Sequence, residues 1–223
     1  MTKALVVGGG ITGLATAIVL SRQGIEVDLA ERLAEIRALG SGISLIGAAL
    51  RALDRLGLYE ECAASGYCIT DMENYEVDGT LLNRSPLPSP LGTDQPGMLG
   101  MMRPTLHAIL LDHAVREGAT LVAATSPTGI EQQPGGAAVT FSTGERRAYD
   151  LVVGADGLRS TVRDLILGPL RPDFRGTGRL PGDRAAARGG DRGRPVPQLG
   201  RRFRGVHAHG GGPDVHVLPV PGR

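Results

Sequence analysis

The sequence predicts an α/β fold in which a parallel β-sheet is covered by helices and carries an added antiparallel hairpin or meander. Two observations support this fold class. The chain opens with an apolar run over residues 4–7, a glycine-rich turn and a largely apolar helical stretch, followed by the strand-like run IEVDLAER. Near residue 150 a further apolar run, YDLVVGADG, ends in another glycine-flanked turn. Short apolar strands that alternate with helices are typical of parallel sheets.

The first β-α-β unit is predicted from local pattern alone. Residues 4–7 lack polar alternation, as expected of a central strand covered on both faces. A helix is predicted over residues 12–22, because most of its side chains are apolar and Gly24 follows where a C-terminal cap belongs. The next strand ends near Glu31, so the unit has the usual length.

Three further features are predicted in the middle of the chain. Residues 48–58 carry leucines at helical spacing and are predicted to form an amphipathic helix. Residues 67–102 differ in character, because an Asp-Gly turn at residues 78–79 indicates a hairpin and SPLPSPLGTDQPG indicates a surface loop. Another helix is predicted from residue 104 to Gly118.

Composition divides the chain at about residue 170. The whole sequence has 223 residues, 41% hydrophobic and 21% charged, with a net charge of +1. Residues 1–170 carry 13 basic and 19 acidic side chains, whereas residues 171–223 carry 11 and 4, together with 12 glycines and 7 prolines. Because such a tail cannot bury much apolar surface, we expect one domain over residues 1–170 and an irregular, low-order tail over residues 171–223.

The arginine-rich tail leaves two interpretations open. An RNA-binding tail would fit the arginine content, but aromatic residues are limited to Phe174 and Phe203, so we expect no nucleic-acid partner. Out-of-frame translation of a GC-rich gene would also yield arginine, glycine, proline and alanine. On that hypothesis the chain is truncated or frameshifted after about residue 170, and reading the coding DNA in its other two frames tests it.

The number of cysteines and the length of the apolar runs indicate where in the cell the protein is expected. Cys62 and Cys68 are the two cysteines, too few for a disulfide framework or a four-thiolate metal site, so no metal is expected. The N-terminal apolar run is strand-length rather than typical of a signal peptide, and the apolar stretch at residues 14–20 is far shorter than a membrane span. We therefore expect a cytoplasmic protein with no membrane partner.

The glycine-rich turn after the first strand carries the pattern G-x-G-x-x-G at Gly8, Gly10 and Gly13. Each glycine has a mechanical reason: the first permits a tight turn, the second lets the backbone approach a pyrophosphate, and the third allows close helix-to-strand packing. The N-terminus of the following helix attracts phosphate charge. Together with the flanking strand and helix, the pattern predicts a dinucleotide-binding turn.

Acidic and basic side chains at the end of the second strand extend this prediction. Glu31 is placed to accept hydrogen bonds from ribose hydroxyls. Its charge argues against a 2′-phosphate at the same place, because two negative charges would meet. Arg32 either lies against the adenine or is an exposed charge.

Three motifs together resemble one protein family. The glycine turn, the segment MMRPTLHAILLDHA and the segment DLVVGADGLRSTVR are similar to those of the class A FAD-dependent monooxygenases, the aromatic hydroxylases of the p-hydroxybenzoate hydroxylase type. The resemblance covers residues 3 to about 170. It implies a Rossmann-like FAD-binding fold with an incomplete substrate domain, of which residues 67–102 would be an inserted, partial segment.

The resemblance also implies roles for individual residues. The ADP half of FAD would be held by the glycine turn and the acid after the second strand, namely Gly8, Gly10, Ile11, Thr12, Gly13, Glu31 and, beside them, Arg32. Arg103 would lie near the pyrophosphate or ribityl chain, and Gly42 near the flavin. Asp156, with Gly157 in the same turn, would bind ribityl or phosphate groups, and this turn is linked to the use of NADH or NADPH.

The chemistry of these side chains supports the same roles but leaves alternatives. Arg103 offers a planar charged fork suited to phosphate oxygens, or forms a surface ion pair. Asp156 is an exposed acceptor at a strand end, or a helix N-cap without a ligand. His107, on the predicted helix, is assigned no catalytic role.

The implied function is NADH- or NADPH-driven hydroxylation of a small aromatic or related molecule. Hydride would pass to FAD, oxygen would add to give a flavin C4a-hydroperoxide, and its distal oxygen would transfer to the substrate. The sequence departs from the family where a Gly-Asp-Ala-Ala-His segment is expected, because PGDRAAARGG contains an arginine and no histidine follows directly. The alternatives are therefore a catalytically inactive dinucleotide-binding fragment, or another flavoprotein such as a halogenase or prenyl-lipid reductase.

Overall fold

The computed structural model describes residues 1–36, 40–76, 78–92 and 95–170, and the backbone of two later strands at Arg202–His207 and Val215–Val217. These residues form two compact units. The first contains the described residues up to Gly40 and those from Arg103 to Leu170. The second contains the described part of Ser41–Met102 together with the two later strands.

The first unit is built on a four-stranded parallel sheet with the order β11-β1-β2-β7. Its strands are β1 (Lys3–Val7), β2 (Glu26–Ala30), β7 (Thr120–Val122) and β11 (Leu151–Gly154). Ala4 pairs with Leu151 on one side and with Val27 on the other. Since Val7 lies between Ala30 and Gly154 in this register, the turns that follow these strands meet at one edge of the sheet.

Three helices accompany this sheet in the described part of the first unit. They are α1 (Ile11–Arg22), α4 (Arg103–Arg116) and α5 (Thr161–Leu167). The prediction for α1 is confirmed to within one residue, because Gly10 is the N-cap and Gly24, at φ +76°, follows the end. Buried side chains of α1 include Leu14 and Ile18, so the helix packs through an apolar surface.

An antiparallel meander completes the first unit. It has the order β10-β9-β8 and consists of β8 (Pro127–Gln133), β9 (Gly136–Phe141) and β10 (Arg146–Tyr149). Side chains of the meander and of the parallel sheet share one apolar cluster, which contains Val139, Phe141, Leu5 and Ala30. The predicted combination of a parallel sheet with an antiparallel meander is therefore confirmed.

A buried carboxylate joins the meander to the parallel sheet. Asp28 on β2 is 4% exposed, and its Oδ2 accepts a hydrogen bond of 2.7 Å from the Tyr149 hydroxyl. The same oxygen lies 3.2 Å from an Arg147 nitrogen and 3.3 Å from Lys3 Nζ. Burial, followed by the hydrogen bond to Asp28, raises the pKa of Tyr149, so the hydroxyl remains a donor at neutral pH.

The second unit contains a mixed set of short elements. Its strands are β3 (Gly42–Ile46), β4 (Tyr67–Tyr75), β5 (Leu81–Pro86), β6 (Met98–Met102), β12 (Arg202–His207) and β13 (Val215–Val217). Strands β4 and β5 form the hairpin predicted at residues 78–79, where the Asp78 carboxylate accepts a hydrogen bond from Thr80 N–H and Gly79 has φ +95°. The Asp-Gly signal therefore marks a real turn.

The helix predicted over residues 48–58 is shorter in the structure and is followed by a second helix. Helix α2 (Ala48–Arg55) ends before Gly57, which has φ +67°, and α3 (Tyr59–Ala64) begins soon after it. A glycine in the left-handed region ends a helix because it can satisfy terminal carbonyl groups in a conformation that other residues avoid. The predicted helix is therefore confirmed, with its end three residues earlier than expected.

The tail expected to be irregular includes the two strands β12 and β13, which composition did not predict. Strand β12 pairs antiparallel with β4, from Arg202 opposite Tyr75 to His207 opposite Ile69, and β13 pairs with β12. Ladder hydrogen bonds to a distant strand are non-local and leave no trace in local composition. Within the described ranges, every helix is too short or too polar to cross a lipid bilayer.

Candidate functional site

A cleft of about 320 Å³ lies at the edge of the parallel sheet where β1, β2 and β11 end. Six of the residues predicted from sequence to contact a cofactor line it: Gly8, Gly10, Glu31, Arg32, Asp156 and Gly157. They come from three turns that are remote in sequence but follow adjacent strands. The structure therefore brings the two glycine-containing turns to one concave site, as expected at the carboxyl edge of a parallel sheet.

The three glycines of the first turn have different surroundings. Gly8 has φ +109°, and a Cβ there would lie 2.5 Å from the Ala155 carbonyl oxygen. A Cβ on Gly13 would lie 1.9 Å from the Gly8 carbonyl oxygen. At Gly10, by contrast, a Cβ would meet no atom within 4 Å, although the residue lines the cleft. Gly8 and Gly13 are thus required by the protein's own packing, whereas Gly10 leaves room for a ligand.

Helix α1 begins directly at this turn. Gly10 is its N-cap and provides no side-chain hydrogen bond to the first turn. Ile11 and Thr12 form the first helical residues and are exposed. The amide groups at the start of a helix and the helix dipole together favour a negatively charged group, so this end of α1 suits a phosphate.

The Glu31 carboxylate is held by backbone amides. Its Oε2 accepts a hydrogen bond of 2.8 Å from Gly9 N–H, and its Oε1 accepts one of 2.9 Å from Leu33 N–H. An ionised carboxylate has about four lone-pair positions, so each oxygen can accept a further hydrogen bond. Glu31 therefore both fixes the glycine turn and retains acceptors for hydroxyl groups in the cleft. Arg32, next along the chain, is exposed at the cleft.

Asp156 is bound to the start of α5. Its Oδ1 accepts a hydrogen bond of 2.5 Å from the Ser160 hydroxyl, and its Oδ2 accepts bonds of 2.6 Å from Thr161 N–H and 3.1 Å from Val162 N–H. Asp156 thus binds the first two amides of α5, although the N-cap residue of this helix is Ser160. Gly157, at φ +79°, continues the turn beside the cleft.

Five of the predicted residues do not line the cleft: Ile11, Thr12 and Gly13 belong to the first turn of α1, and the other two are Arg103 and Gly42. Arg103 is the exposed first residue of α4, and a Cβ on Gly40 would lie 3.5 Å from its Cδ. Gly42 begins β3 in the second unit, where it pairs with Met102. Among the described residues that line the cleft, neither is present.

Several residues at or near the cleft were not predicted from sequence. Thr125 and Ser126 line it, and Thr125 N–H donates a hydrogen bond of 2.9 Å to the Glu31 carbonyl oxygen. His107 on α4 is 4% exposed, and its Nε2 lies 2.7 Å from the Gly9 carbonyl oxygen. A polar residue between the core leucines at 106 and 110 was the available signal for His107, whereas Thr125 reaches Glu31 across 94 residues and had none.

These observations fit the adenosine diphosphate half of FAD. The open position at Gly10 leaves space for backbone to approach a pyrophosphate, and the start of α1 offers amide donors next to it. Glu31 offers acceptors for a ribose, and Arg32 a cation at the same end of the cleft. The donor set therefore matches a phosphate-linked nucleoside whose ribose carries free hydroxyls.

Known FAD-binding proteins are similar to this part of the chain. The sequence family described as "FAD binding domain" matches residues 1–178. The chain is 37% identical over 163 residues to 2-heptyl-3-hydroxy-4(1H)-quinolone synthase of Pseudomonas aeruginosa, covering 71% of this chain and 41% of that protein. It is 32% identical over 167 residues to 3-hydroxybenzoate 6-hydroxylase of Polaromonas naphthalenivorans, covering 74% and 42%.

A solved structure agrees with these relatives. That of 2-methyl-3-hydroxypyridine-5-carboxylic acid oxygenase superposes with a TM-score of 0.64 at 32% identity, covering 74% of this chain and 42% of that one. The chain spans less than half the length of the curated relatives it matches. The match over residues 1–178 includes every element that forms the cleft, so the chain belongs to the family of FAD-binding domains found in FAD-dependent monooxygenases.

Proposed function

We propose that the cleft binds the ADP half of FAD and that the chain serves an FAD-dependent monooxygenase reaction. The single observation that carries this proposal is the open position at Gly10, which lines the cleft between Glu31 and Asp156. Packing explains Gly8 and Gly13 without a ligand, but it does not explain a glycine with nothing within 4 Å of its Cβ position. A pyrophosphate in close contact with the backbone does.

The predicted residues at and beside the cleft have proposed tasks. Glu31 accepts hydrogen bonds from the ribose, while the first amides of α1, at Ile11 and Thr12, stabilise the pyrophosphate charge. Arg32 lies along the adenosine. Asp156 and Gly157 approach the ribityl or phosphate groups, with Asp156 using acceptor capacity beyond its bonds to α5. Arg103 and Gly42 remain proposed contacts for the parts of FAD beyond the adenosine.

The reaction itself is proposed from the relatives. Bound FAD would supply hydride acceptance from NADH or NADPH and oxygen transfer to a small aromatic molecule. Two of the relatives are named for a quinolone and a hydroxybenzoate, which are ring compounds with electron-donating groups. The proposed division of labour assigns FAD binding to residues 1–170 and a partial substrate segment to residues 67–102. A cytoplasmic location, where two unpaired thiols stay reduced, is part of the same proposal.

A dinucleotide-binding protein without turnover is the second candidate. It is favoured by the sequence departure at PGDRAAARGG, where the family's third FAD segment is expected. In that case the cleft would still bind FAD or ADP, but NADH and NADPH would not be oxidised. The two candidates therefore differ in turnover and agree in binding.

Titration of the purified chain with FAD, followed by flavin absorbance and fluorescence, tests the proposal. Gly10→Ala is the test variant. Gly10 lines the cleft, and a Cβ there would meet no protein atom within 4 Å, so a loss of binding would report on the ligand rather than on packing. Binding by the wild type and at least about tenfold weaker binding by Gly10→Ala would support the site; a tenfold change corresponds to about 1.4 kcal/mol. Equal binding by both proteins would refute it. NADH and NADPH oxidation with aromatic acids then separates the two candidates.

A further inference from the structure

His107 contacts the glycine turn at the Gly9 carbonyl oxygen, whereas Glu31 contacts it at the Gly9 N–H. The histidine belongs to α4, where its neighbour Leu106 and the more distant Leu110 are both buried, and it is itself 4% exposed. Its Nε2 lies 2.7 Å from the Gly9 carbonyl oxygen, which is a normal hydrogen-bond distance. A buried polar ring directed at one backbone atom of a ligand-binding turn needs a reason beyond packing.

The direction of this hydrogen bond follows from the chemistry of the two groups. A carbonyl oxygen has no hydrogen and can only accept, so the Nε2 of His107 must carry the proton and donate. Gly9 is therefore held at both of its backbone polar groups. Its N–H donates to Glu31 Oε2 at 2.8 Å, and its carbonyl oxygen accepts from His107.

Fixing the Gly9 carbonyl also fixes the next amide. The carbonyl of Gly9 and the N–H of Gly10 share one planar peptide unit, and in a trans peptide these two bonds point in opposite directions. The described residues contain no cis peptide bonds. Because the carbonyl oxygen points at His107, the Gly10 N–H points away from it, and Gly10 lines the cleft.

We propose that His107 is a positioning residue that holds the Gly9–Gly10 peptide plane so that the Gly10 N–H is presented to a bound pyrophosphate. The inference rests on the proposed dinucleotide function of the cleft. His107 touches neither the cofactor nor the substrate in this role; it acts through the backbone. A pre-oriented amide binds more tightly because it loses less conformational freedom when the ligand arrives.

The test compares ligands with and without a pyrophosphate. His107→Met removes the donor at similar length, and His107→Gln keeps an N–H donor in place of Nε2. For His107→Met we expect the Kd of ADP and FAD to rise about tenfold, which corresponds to about 1.4 kcal/mol, and the Kd of adenosine to change less than about twofold. His107→Gln should restore ADP binding to within about threefold of the wild type. An equal loss for adenosine and ADP would indicate a merely structural histidine and overturn the inference.

A measurement on the wild type keeps the inference testable if His107→Met does not fold. In the 15N-labelled protein, long-range 1H–15N correlation spectra report which ring nitrogen of each histidine carries a proton. A proton on Nε2 of His107 is expected, and a bare Nε2 would overturn the inference. A wild type that binds neither ADP nor FAD would refute the proposed function itself, whereas normal ADP binding by His107→Met would refute only the role of His107.

Discussion

The carboxylate of Glu31 and the amide of Gly9 are joined by a hydrogen bond of 2.8 Å, so the acid proposed to bind a ribose also holds the turn proposed to bind a pyrophosphate. One side chain therefore couples two halves of the proposed ligand. A carboxylate that accepts from backbone N–H groups forms charge-assisted bonds, which are stronger than those of a neutral amide oxygen.

Glu31→Gln should therefore weaken both the hydrogen bonding that holds the glycine turn and the proposed binding of the ribose. The amide keeps one oxygen acceptor but presents an NH₂ group to either Gly9 or Leu33, whose amides need an acceptor. We expect the Kd of ADP to rise about tenfold or more, measured by calorimetric titration. Glu131→Gln is the control, because that exposed acid pairs with Arg146 and is not among the described residues that line the cleft, so ADP binding should be unchanged. Unaltered binding by Glu31→Gln would contradict the ribose assignment.

Alanine should destabilise the fold far more at Gly13 than at Gly10. Gly13→Ala places a Cβ 1.9 Å from the Gly8 carbonyl oxygen, so the turn and α1 cannot keep their contact, and stability should fall by about 3 kcal/mol or more. Gly10→Ala meets open space with an ordinary φ of −80°, so it loses only the N-cap preference for glycine over alanine, about 1 kcal/mol, and thermal unfolding without ligand should shift by less than about 4 °C. Similar melting curves for both variants would contradict this distinction.

Asp156→Ala and Ser160→Ala separate capping from ligand binding. Ser160 accepts a hydrogen bond of 3.0 Å from Arg163 N–H at the start of α5, so its loss should cost about 1 kcal/mol in the free energy of unfolding and leave ADP and FAD binding intact. Asp156→Ala should cost a similar amount and also weaken FAD binding. Urea unfolding and FAD titration measure the two effects. If both variants bind FAD as the wild type does, Asp156 is a cap and nothing more.

The first β-α-β unit could be predicted from sequence because its signals are local. The apolar strand, the glycine turn at Gly8 and the cap at Gly24 each act within a few residues. The residues that come to this region from other segments were harder to predict. Thr125 lines the cleft and His107 contacts Gly9 only because tertiary packing brings them there. Strand β12 shows the same limit, because its partner β4 precedes it by more than 120 residues.

Removing the charge of Asp28 should destabilise the first unit. Asp28→Asn leaves Arg147 and Lys3 without a buried counter-charge and gives the Tyr149 hydroxyl a weaker acceptor. Both cations are partly exposed and can turn toward water, so we expect a loss of about 2 kcal/mol rather than the larger cost of a fully buried pair. Glu131→Gln, at an exposed ion pair, should change stability by less than about 0.5 kcal/mol. Equal effects in chemical denaturation would contradict the importance of the buried carboxylate.

Cys62 should make stability fall at alkaline pH. Burial raises the pKa of its thiol from 9.0 to about 11 in the folded protein, so between these values the unfolded chain releases a proton that the folded one keeps. The contribution is complete below about pH 9 and is lost as the pH rises toward 11, at most about 3 kcal/mol. The difference in unfolding free energy between the wild type and Cys62→Ala, measured by urea unfolding across this pH window, isolates the contribution of the thiol.

The two thiols should also differ in reactivity. At pH 8 a thiol reagent should label the half-buried Cys68 before the buried Cys62.

The pairing of β1 with β11 sets an order of events while the chain is being made. Lys3 N–H donates to the Asp150 carboxylate across 147 residues, and the register continues from Ala4 and Leu151 to Val7 and Gly154. A ribosome will have released the glycine turn and α1 long before Asp156 is synthesised. The nascent protein therefore lacks the wall of the cleft formed by Ala155, Asp156, Gly157 and Thr161 until that segment has emerged, and the proposed cofactor meets a complete cleft only after residue 161 has been made.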